Sequence, residues 1–158
     1  MKRITFLLSS AVLLSAFALV SCKEDNYLDW KYMNQQWLES HQNDSEWITT
    51  ESGLQYRIIY GGYEDDARTP SSKSEVYVSY TGTYINGVRF DSAENGRLNV
   101  SSTVPGFQEG LKMMRRYAVY EFRIPYELGY GKKGSGAIPP YTTLLFRVTM
   151  NNFRTVQQ

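Results

Sequence analysis

Apolar residues recur along the chain with two different periods, and the change of period predicts where helix gives way to sheet. Near the start, Tyr27, Trp30, Met33 and Trp37 recur at spacings of three and four, with polar residues between them. This spacing predicts an amphipathic helix over residues 27–41. From Leu54 onward, apolar and polar positions alternate instead, which is typical of strands that bury one face.

The alternating segments predict a sheet of five or six strands. Asn86-Gly87 predicts a type I′ hairpin turn, because both central residues of that turn need a positive φ, and "ENGR" at 94–97 predicts a further turn. These turns divide the alternating residues into strands near 54–60, 76–81, 89–91, 98–100, 118–124 and 144–150.

One further helix interrupts the strands. Pro105 suits the first turn of a helix, and Phe107, Leu111 and Met114 share one face of it. A single helix inserted late among strands predicts an α+β fold, in which an antiparallel sheet is covered on one face by a short helix. The helix over 27–41 precedes this domain. We interpret it as a stalk that packs on the domain, with a dimer-forming or client-binding helix as the alternative.

The first residues have the layout of a secretory signal peptide: Lys2 and Arg3 precede an apolar run over residues 4–20. The run ends in "ALVSC", which resembles a bacterial lipobox and predicts lipidation of Cys22, the one cysteine of the chain. The alternative is a lone buried cysteine. We therefore divide the chain into a lipoprotein signal peptide (1–21), an anchor with the amphipathic stalk helix (22–52) and a folded domain (53–158).

Charge and composition exclude several classes of function. Removal of residues 1–21 takes two of the 17 basic residues and none of the 16 acidic ones, which leaves a net charge of −1. No basic excess remains to bind nucleic acid. His41 has no second histidine or free cysteine to join it, so we predict no metal site and no cofactor and interpret His41 as a solvated helix residue.

Four sequence blocks occur in an order and spacing that resembles the FKBP-type peptidyl-prolyl isomerase family. They are "YTGTYINGVRFDS", "VPGFQEGLKMM", "IPYELGYG" and "IPPYTTLLFRV", and the resemblance covers roughly residues 53–153. It implies a twisted antiparallel sheet wrapped around one short helix, with a pocket between them that accepts a proline ring.

The resemblance also implies the site residues by position. The Val104 N–H and the Tyr130 hydroxyl would hold substrate carbonyls, while Asp91 would be an orienting carboxylate rather than a proton shuttle. The pocket walls and floor would be Tyr80, Phe90, Leu98, Phe107, Ile138 and Phe146. Phe107 stands where the family usually has Trp, and Leu98 where it usually has Phe. The pocket should therefore be larger and less aromatic, which weakens binding before it abolishes catalysis.

The implied function is peptidyl-prolyl cis-trans isomerisation, which assists the folding of exported or envelope proteins. The implied partners are proline-containing polypeptide clients, the family's macrolide ligands, and a membrane reached through lipidated Cys22. The implied location is the bacterial cell envelope, in the outer membrane, with the domain facing the periplasm or the surface. Two alternatives are an FKBP-like binding module or holdase with weak or no isomerase activity, and a structural or adhesive lipoprotein that only shares the fold.

The lipobox predicts that replacement of its cysteine changes processing. Cys22→Ala should leave the precursor uncleaved or release protein without lipid, because the thiol accepts the first acyl chain. Mass spectrometry of the mature protein measures this. An unmodified Cys22 in the unaltered mature protein would show that the lipobox prediction is wrong.

Overall fold

A computed structural model of the protein describes residues 27–154, and the sequence predictions for the signal peptide and Cys22 lie outside these residues. Its helices are α1 (Leu28–Ser40) and α2 (Pro105–Met113). Its strands are β1 (Ile48–Thr49), β2 (Gln55–Tyr60), β3 (Glu75–Thr83), β4 (Arg89–Asn99), β5 (Val119–Ile124) and β6 (Leu144–Arg154).

The six strands form one antiparallel sheet in the order β1-β2-β5-β6-β3-β4. The predicted α+β fold is confirmed, with α2 packed on one face of the sheet. The alternating residues predicted to face the core do so in β5 and β6, where Tyr120, Phe122, Ile124, Leu144, Val148 and Met150 are buried. The predicted helix face is buried too, through Phe107, Leu111 and Met114.

Helix α2 can approach the sheet closely because Gly110 faces β5. A Cβ atom at Gly110 would lie 2.6 Å from the Phe122 ring. That distance is far below a normal contact, so any larger residue would push the helix away from the sheet. The depth of the site described below depends on this approach, since Phe107 lies one turn earlier on the same helix.

The turn predicted at "ENGR" is wrong, because β4 continues through it. Val78 pairs with Gly96 and Tyr80 pairs with Ala93, so β4 holds one more residue than β3 over this interval. Asn95 takes the extra position with a φ of 51°. The motif therefore forms a β-bulge, which uses the same turn-type residues as a reversal but keeps the strand paired on both sides.

The hairpin between β3 and β4 is confirmed, but its turn is not of type I′. Only Gly87 of the Asn86-Gly87 pair has a positive φ, of 80°. The Gly87 N–H donates to the Tyr84 carbonyl and the Tyr84 N–H donates to the Val88 carbonyl, both at 2.9 Å. This is a three-residue loop that closes with glycine in the left-handed region.

Helix α1 is confirmed within one residue of its predicted ends, and Trp30 and Trp37 of the predicted apolar face pack on the domain, but the buried face is rotated. Met33, predicted to be on the apolar face, is 53% exposed, whereas Asn34 is fully buried. The Asn34 side-chain amide donates to the Trp30 carbonyl, and its Oδ1 accepts the Thr143 N–H, both at 2.8 Å. A buried carboxamide is tolerated because both of its ends are hydrogen-bonded, and apolar spacing cannot show this.

The chain beyond α1 is held on the sheet by Arg123 of β5, which is only 7% exposed. Its guanidinium donates to the His41 carbonyl at 2.8 Å and to the Asp44 carboxylate at 2.6 Å. The Trp47 ring lies 3.6 Å from the same guanidinium. His41 differs from its predicted solvated state, because its ring stacks on Trp37 at 4.1 Å.

These contacts support the interpretation of α1 as a helix that packs on the domain. Strand β1 was not predicted and lies within the segment assigned to the stalk, whereas the strands predicted near 89–91 and 98–100 are one strand, β4. The boundary at residues 52 and 53 stays a prediction. Within residues 27–154, no helix is long and apolar enough to cross a membrane.

Loss of the Asn34 carboxamide should destabilise the fold. Asn34→Ala leaves the buried Thr143 N–H without its acceptor, which should cost about 1–3 kcal/mol of unfolding free energy in urea. Gln35→Ala is the matched control, because Gln35 lies on the exposed side of the same turn. Equal stability of the two variants would show that the carboxamide contributes nothing to the packing of α1.

Candidate functional site

A cavity of about 460 Å³ opens between the β3–β4 ribbon, the start of α2 and the loop after β5. Seven of the residues predicted for the site line it: Tyr80, Asp91, Leu98, Val104, Phe107, Tyr130 and Phe146. These residues come from five separate parts of the chain, and the fold brings them together around one opening.

Aromatic rings form the floor and the inner wall of this cavity. Phe107 is 4% exposed, and its ring lies 4.7 Å from Phe146 and 6.0 Å from Tyr80. The Phe146 ring can lie close to the sheet because Gly82 has no side chain, where a Cβ atom would come within 2.8 Å of it. The base of the cavity is therefore formed by packed aromatic rings, although its rim is open to solvent.

Two predicted wall residues lie just outside the cavity lining. Phe90 packs behind Phe146, edge to face at 5.5 Å, and so supports the wall rather than forming its surface. Ile138 is partly buried against the core, and its N–H and carbonyl pair with Ser135 at 2.9 and 3.0 Å. The assignment of Phe90 and Ile138 to the substrate-binding wall stays a prediction, because neither residue lines this cavity.

Both carboxylate oxygens of Asp91 accept a hydrogen bond. Oδ2 accepts the Tyr80 hydroxyl and Oδ1 accepts the Ser92 N–H, each at 2.8 Å. A carboxylate held in this way can orient a neighbour, but it is poorly placed to move a proton. Burial, together with the smaller effect of the hydrogen bond to Asp91, raises the pKa of Tyr80 to about 12. Tyr80 is therefore a hydrogen-bond donor throughout the neutral range.

Two polar groups at the rim are free to receive a ligand. Val104 is the N-cap of α2, and its carbonyl accepts the Gln108 N–H at 3.0 Å. Its own N–H has no acceptor within residues 27–154. Tyr130 is 40% exposed. Val104 and Tyr130 both line the cavity, so a backbone donor and a phenol belong to the same opening.

Glycines shape the loop that carries Tyr130. Gly131, Gly134 and Gly136 have positive φ angles, between 55° and 68°. Gly129, which precedes Tyr130, has a φ of −106° and is not in the left-handed region. The loop closes when the Tyr141 N–H donates to the Gly131 carbonyl at 3.0 Å.

Sequence reasoning missed three residues that line the cavity, Ser102, Thr103 and Pro105. They adjoin Val104 because β4 leads through a single 3-10 turn, Val100–Ser102, directly into α2. The Gln108 side chain fixes this turn by donating to the Thr103 carbonyl at 2.7 Å. The short spacing between Asp91 and Pro105 was the available signal, since it leaves no room for a longer rim.

A larger cavity of about 700 Å³ lies elsewhere, between the sheet and the segment that contains Trp37 and Trp47. Of the predicted site residues it includes only Phe146. Its charged side chains pair with one another: Glu121 holds both Arg57 and Arg147, and Arg123 holds Asp44. The described residues contain no cluster of three acidic, histidine or cysteine side chains placed to hold a metal ion.

Comparison with known proteins agrees with this geometry. A family model described as FKBP-type peptidyl-prolyl cis-trans isomerase matches residues 66–151. The FKBP-type 22 kDa peptidyl-prolyl cis-trans isomerase of Escherichia coli K12 is 39% identical over 119 residues, which cover 72% of this chain and 56% of that protein. The Outer membrane protein MIP of Legionella longbeachae is 37% identical over 106 residues, covering 64% of this chain and 44% of that protein.

Solved structures show the same fold. FkpA from Escherichia coli matches with a TM-score of 0.79 and 29% identity, over 85% of this chain and 63% of that one. A peptidyl-prolyl cis-trans isomerase from Pseudomonas syringae pv. tomato matches with a TM-score of 0.73 and 20% identity, over 85% of this chain and 98% of that one. The chain spans about half the length of the curated relatives it matches.

The raised pKa of Tyr80 predicts how stability changes at high pH. An unfolded tyrosine loses its proton near pH 10, whereas folded Tyr80 keeps it to about pH 12. Folding therefore loses stability as pH rises from 10 to 12, and the contribution is fully present below pH 10. Urea unfolding measured across this range should show a shallower decline for Tyr80→Phe than for the unaltered protein. Parallel declines would indicate that Tyr80 ionises alike in both states.

Proposed function

The chain belongs to the FKBP-type peptidyl-prolyl cis-trans isomerase family, and on this basis we propose that it catalyses rotation about X–Pro bonds in polypeptide clients. The single observation that carries the proposal is the cavity floored by Phe107, which Phe146, Val104 and Tyr130 also line. Its dimensions and lining suit a proline ring flanked by two peptide carbonyls.

The proposed reaction requires neither a nucleophile nor a general base. Rotation about the amide crosses a barrier of roughly 18–20 kcal/mol, because resonance is lost midway, and no covalent bond breaks. The twisted amide is less polar than the planar one, so a water-poor cavity favours it over the ground state. Each tenfold gain in rate needs only about 1.4 kcal/mol of such preference.

Each polar group then has a positioning role. The Val104 N–H and the Tyr130 hydroxyl would bind carbonyls on either side of the proline and so fix the substrate in a reactive orientation. Asp91 holds the Tyr80 hydroxyl at 2.8 Å and keeps that ring against Phe107. Phe107 and Phe146 supply the apolar surface that receives the proline ring.

The proposed setting is the bacterial cell envelope, where the protein assists the folding of exported proteins. The lipobox ending at Cys22 supports a lipid anchor, and the name of one relative, an outer membrane protein, supports envelope association. Two or more acyl chains make such an anchor stable. The proposal includes attachment to the outer membrane, with the domain facing either the periplasm or the cell surface. It also includes binding of macrolide ligands in the same cavity.

Activity of the purified protein on X–Pro tetrapeptides, measured with a protease-coupled assay, tests the proposal. We expect a rate above the uncatalysed reaction, with preference for an apolar residue before the proline. Tyr130→Phe should lower kcat/KM by about two- to tenfold, because it removes one hydrogen bond of about 0.5–1.5 kcal/mol. Tyr60→Phe is the matched control, since Tyr60 is exposed on β2, away from the cavity.

Changes to the wall should have larger effects than the loss of one hydroxyl. Phe146→Ala and Asp91→Val should each lower kcat/KM by more than Tyr130→Phe, because the first opens the wall and the second releases Tyr80. Circular dichroism confirms that each variant is folded before its activity is compared. If both folded variants keep full activity, the Phe107 cavity is not the site of isomerisation.

A larger floor should increase affinity. Phe107→Trp adds aromatic surface to the floor of the cavity, and we expect tighter binding of proline peptides. A folded protein that shows no activity, and gains none with Phe107→Trp, would contradict the enzyme proposal. The binding-module alternative would then stand, and suppression of client aggregation without turnover would identify it.

A further inference from the structure

Three side chains of α1 contact three successive residues at the end of the loop that carries Tyr130. The Lys31 ammonium lies 5.1 Å from the Tyr141 ring. The Trp30 indole N–H donates to the Thr142 hydroxyl oxygen at 2.9 Å. The Asn34 carboxamide accepts the Thr143 N–H at 2.8 Å. The helix thus follows this segment residue by residue, which a loosely attached stalk would not do.

Thr142 connects helix α1 to the loop through two hydrogen bonds of its hydroxyl. Its side chain is 2% exposed, and the hydroxyl that accepts from Trp30 also donates to the Pro139 carbonyl at 2.7 Å. Pro139 directly follows Ile138. On the other side, Tyr141 holds the Gly131 carbonyl, next to Tyr130. One hydroxyl therefore connects the helix to a loop whose two sides carry Ile138 and Tyr130.

The Trp30 ring also supports the cavity wall from behind. It packs on Tyr84, edge to face at 6.2 Å, and Tyr84 packs on Phe90 at 5.1 Å. Phe90 in turn supports Phe146, which lines the cavity. The Tyr84 hydroxyl donates to the Ala137 carbonyl at 3.1 Å, so the hairpin tip and the loop are joined to each other as well.

We propose that α1 is a positioning element of the isomerase pocket, with Trp30 and Thr142 as the residues through which it holds the Tyr130 loop and the Phe90–Phe146 wall. The inference rests on the proposed function, since it assigns part of that activity to a helix outside the segment that matches the family. Neither residue touches the substrate. Both act by keeping groups that do in place, and a displacement of about 1 Å in such groups is enough to slow a reaction up to about a hundredfold.

The test compares variants of the otherwise unaltered protein, at a temperature where all are folded. Thr142→Val keeps the shape of the side chain and removes both hydrogen bonds, and we expect a loss of about tenfold in kcat/KM, equivalent to about 1.4 kcal/mol. Thr142→Ser keeps the hydroxyl and should retain the activity. Trp30→Ala should resemble Thr142→Val.

Trp37→Ala is the matched control. Trp37 is a half-buried tryptophan two turns along the same helix, but it packs on His41 and Arg123, away from the cavity loop. It should lower stability without a loss of kcat/KM. Equal losses for Trp30→Ala and Trp37→Ala, or none for Thr142→Val, would overturn the proposal.

A second measurement separates this proposal from the isomerase proposal. The methyl NMR signal of Ile138 should shift in Thr142→Val and stay unchanged in Trp37→Ala, whether or not the protein is active. The Ile58 methyl, exposed on β2, is the internal reference. If the protein is inactive but the Ile138 signal responds as expected, the isomerase proposal is contradicted and the positioning role of α1 is supported. An active protein in which Ile138 and kcat/KM are both insensitive to Thr142→Val would contradict the positioning role alone.

Discussion

The close packing of α2 against β5 is the contact on which the rest of the structure depends. Gly110 lets the helix lie directly on Phe122, and this places Phe107 at the bottom of a cavity instead of on the surface. The sheet then needs only to supply walls, which it does through Phe146 and Tyr80. A site that works by shape has to be built from such distances, because no reactive group compensates for a loose fit.

The polar groups of the site are likewise fixed in position by their neighbours. Asp91 uses both oxygens to hold neighbours, and Tyr80 keeps its proton far above neutral pH. Val104 and Tyr130 line the same cavity, and the Val104 N–H has no acceptor within residues 27–154. An apolar base with few and fixed polar contacts favours a molecule that becomes less polar as it reacts, which is the requirement of amide rotation.

The sequence predicted those parts of the fold that depend on periodicity. The buried faces of α2, β5 and β6 follow from alternation or helical spacing, and seven of the residues named from the four blocks line one cavity. It could not predict features that depend on distant partners. Asn34 is buried because it meets Thr143, and Asn95 forms a bulge because β3 pairs on both sides of it. Neither partner is visible in the local pattern.

The Trp30–Thr142 bond joins residues 112 positions apart. The helix is synthesised well before the segment that it contacts. Closing so long a stretch of chain costs conformational entropy, and pairing of the strands between the two ends shortens the stretch that is left to close. Helix α1 is therefore the first described element to be made, but it reaches its final contacts only after the chain as far as Thr143 has been synthesised.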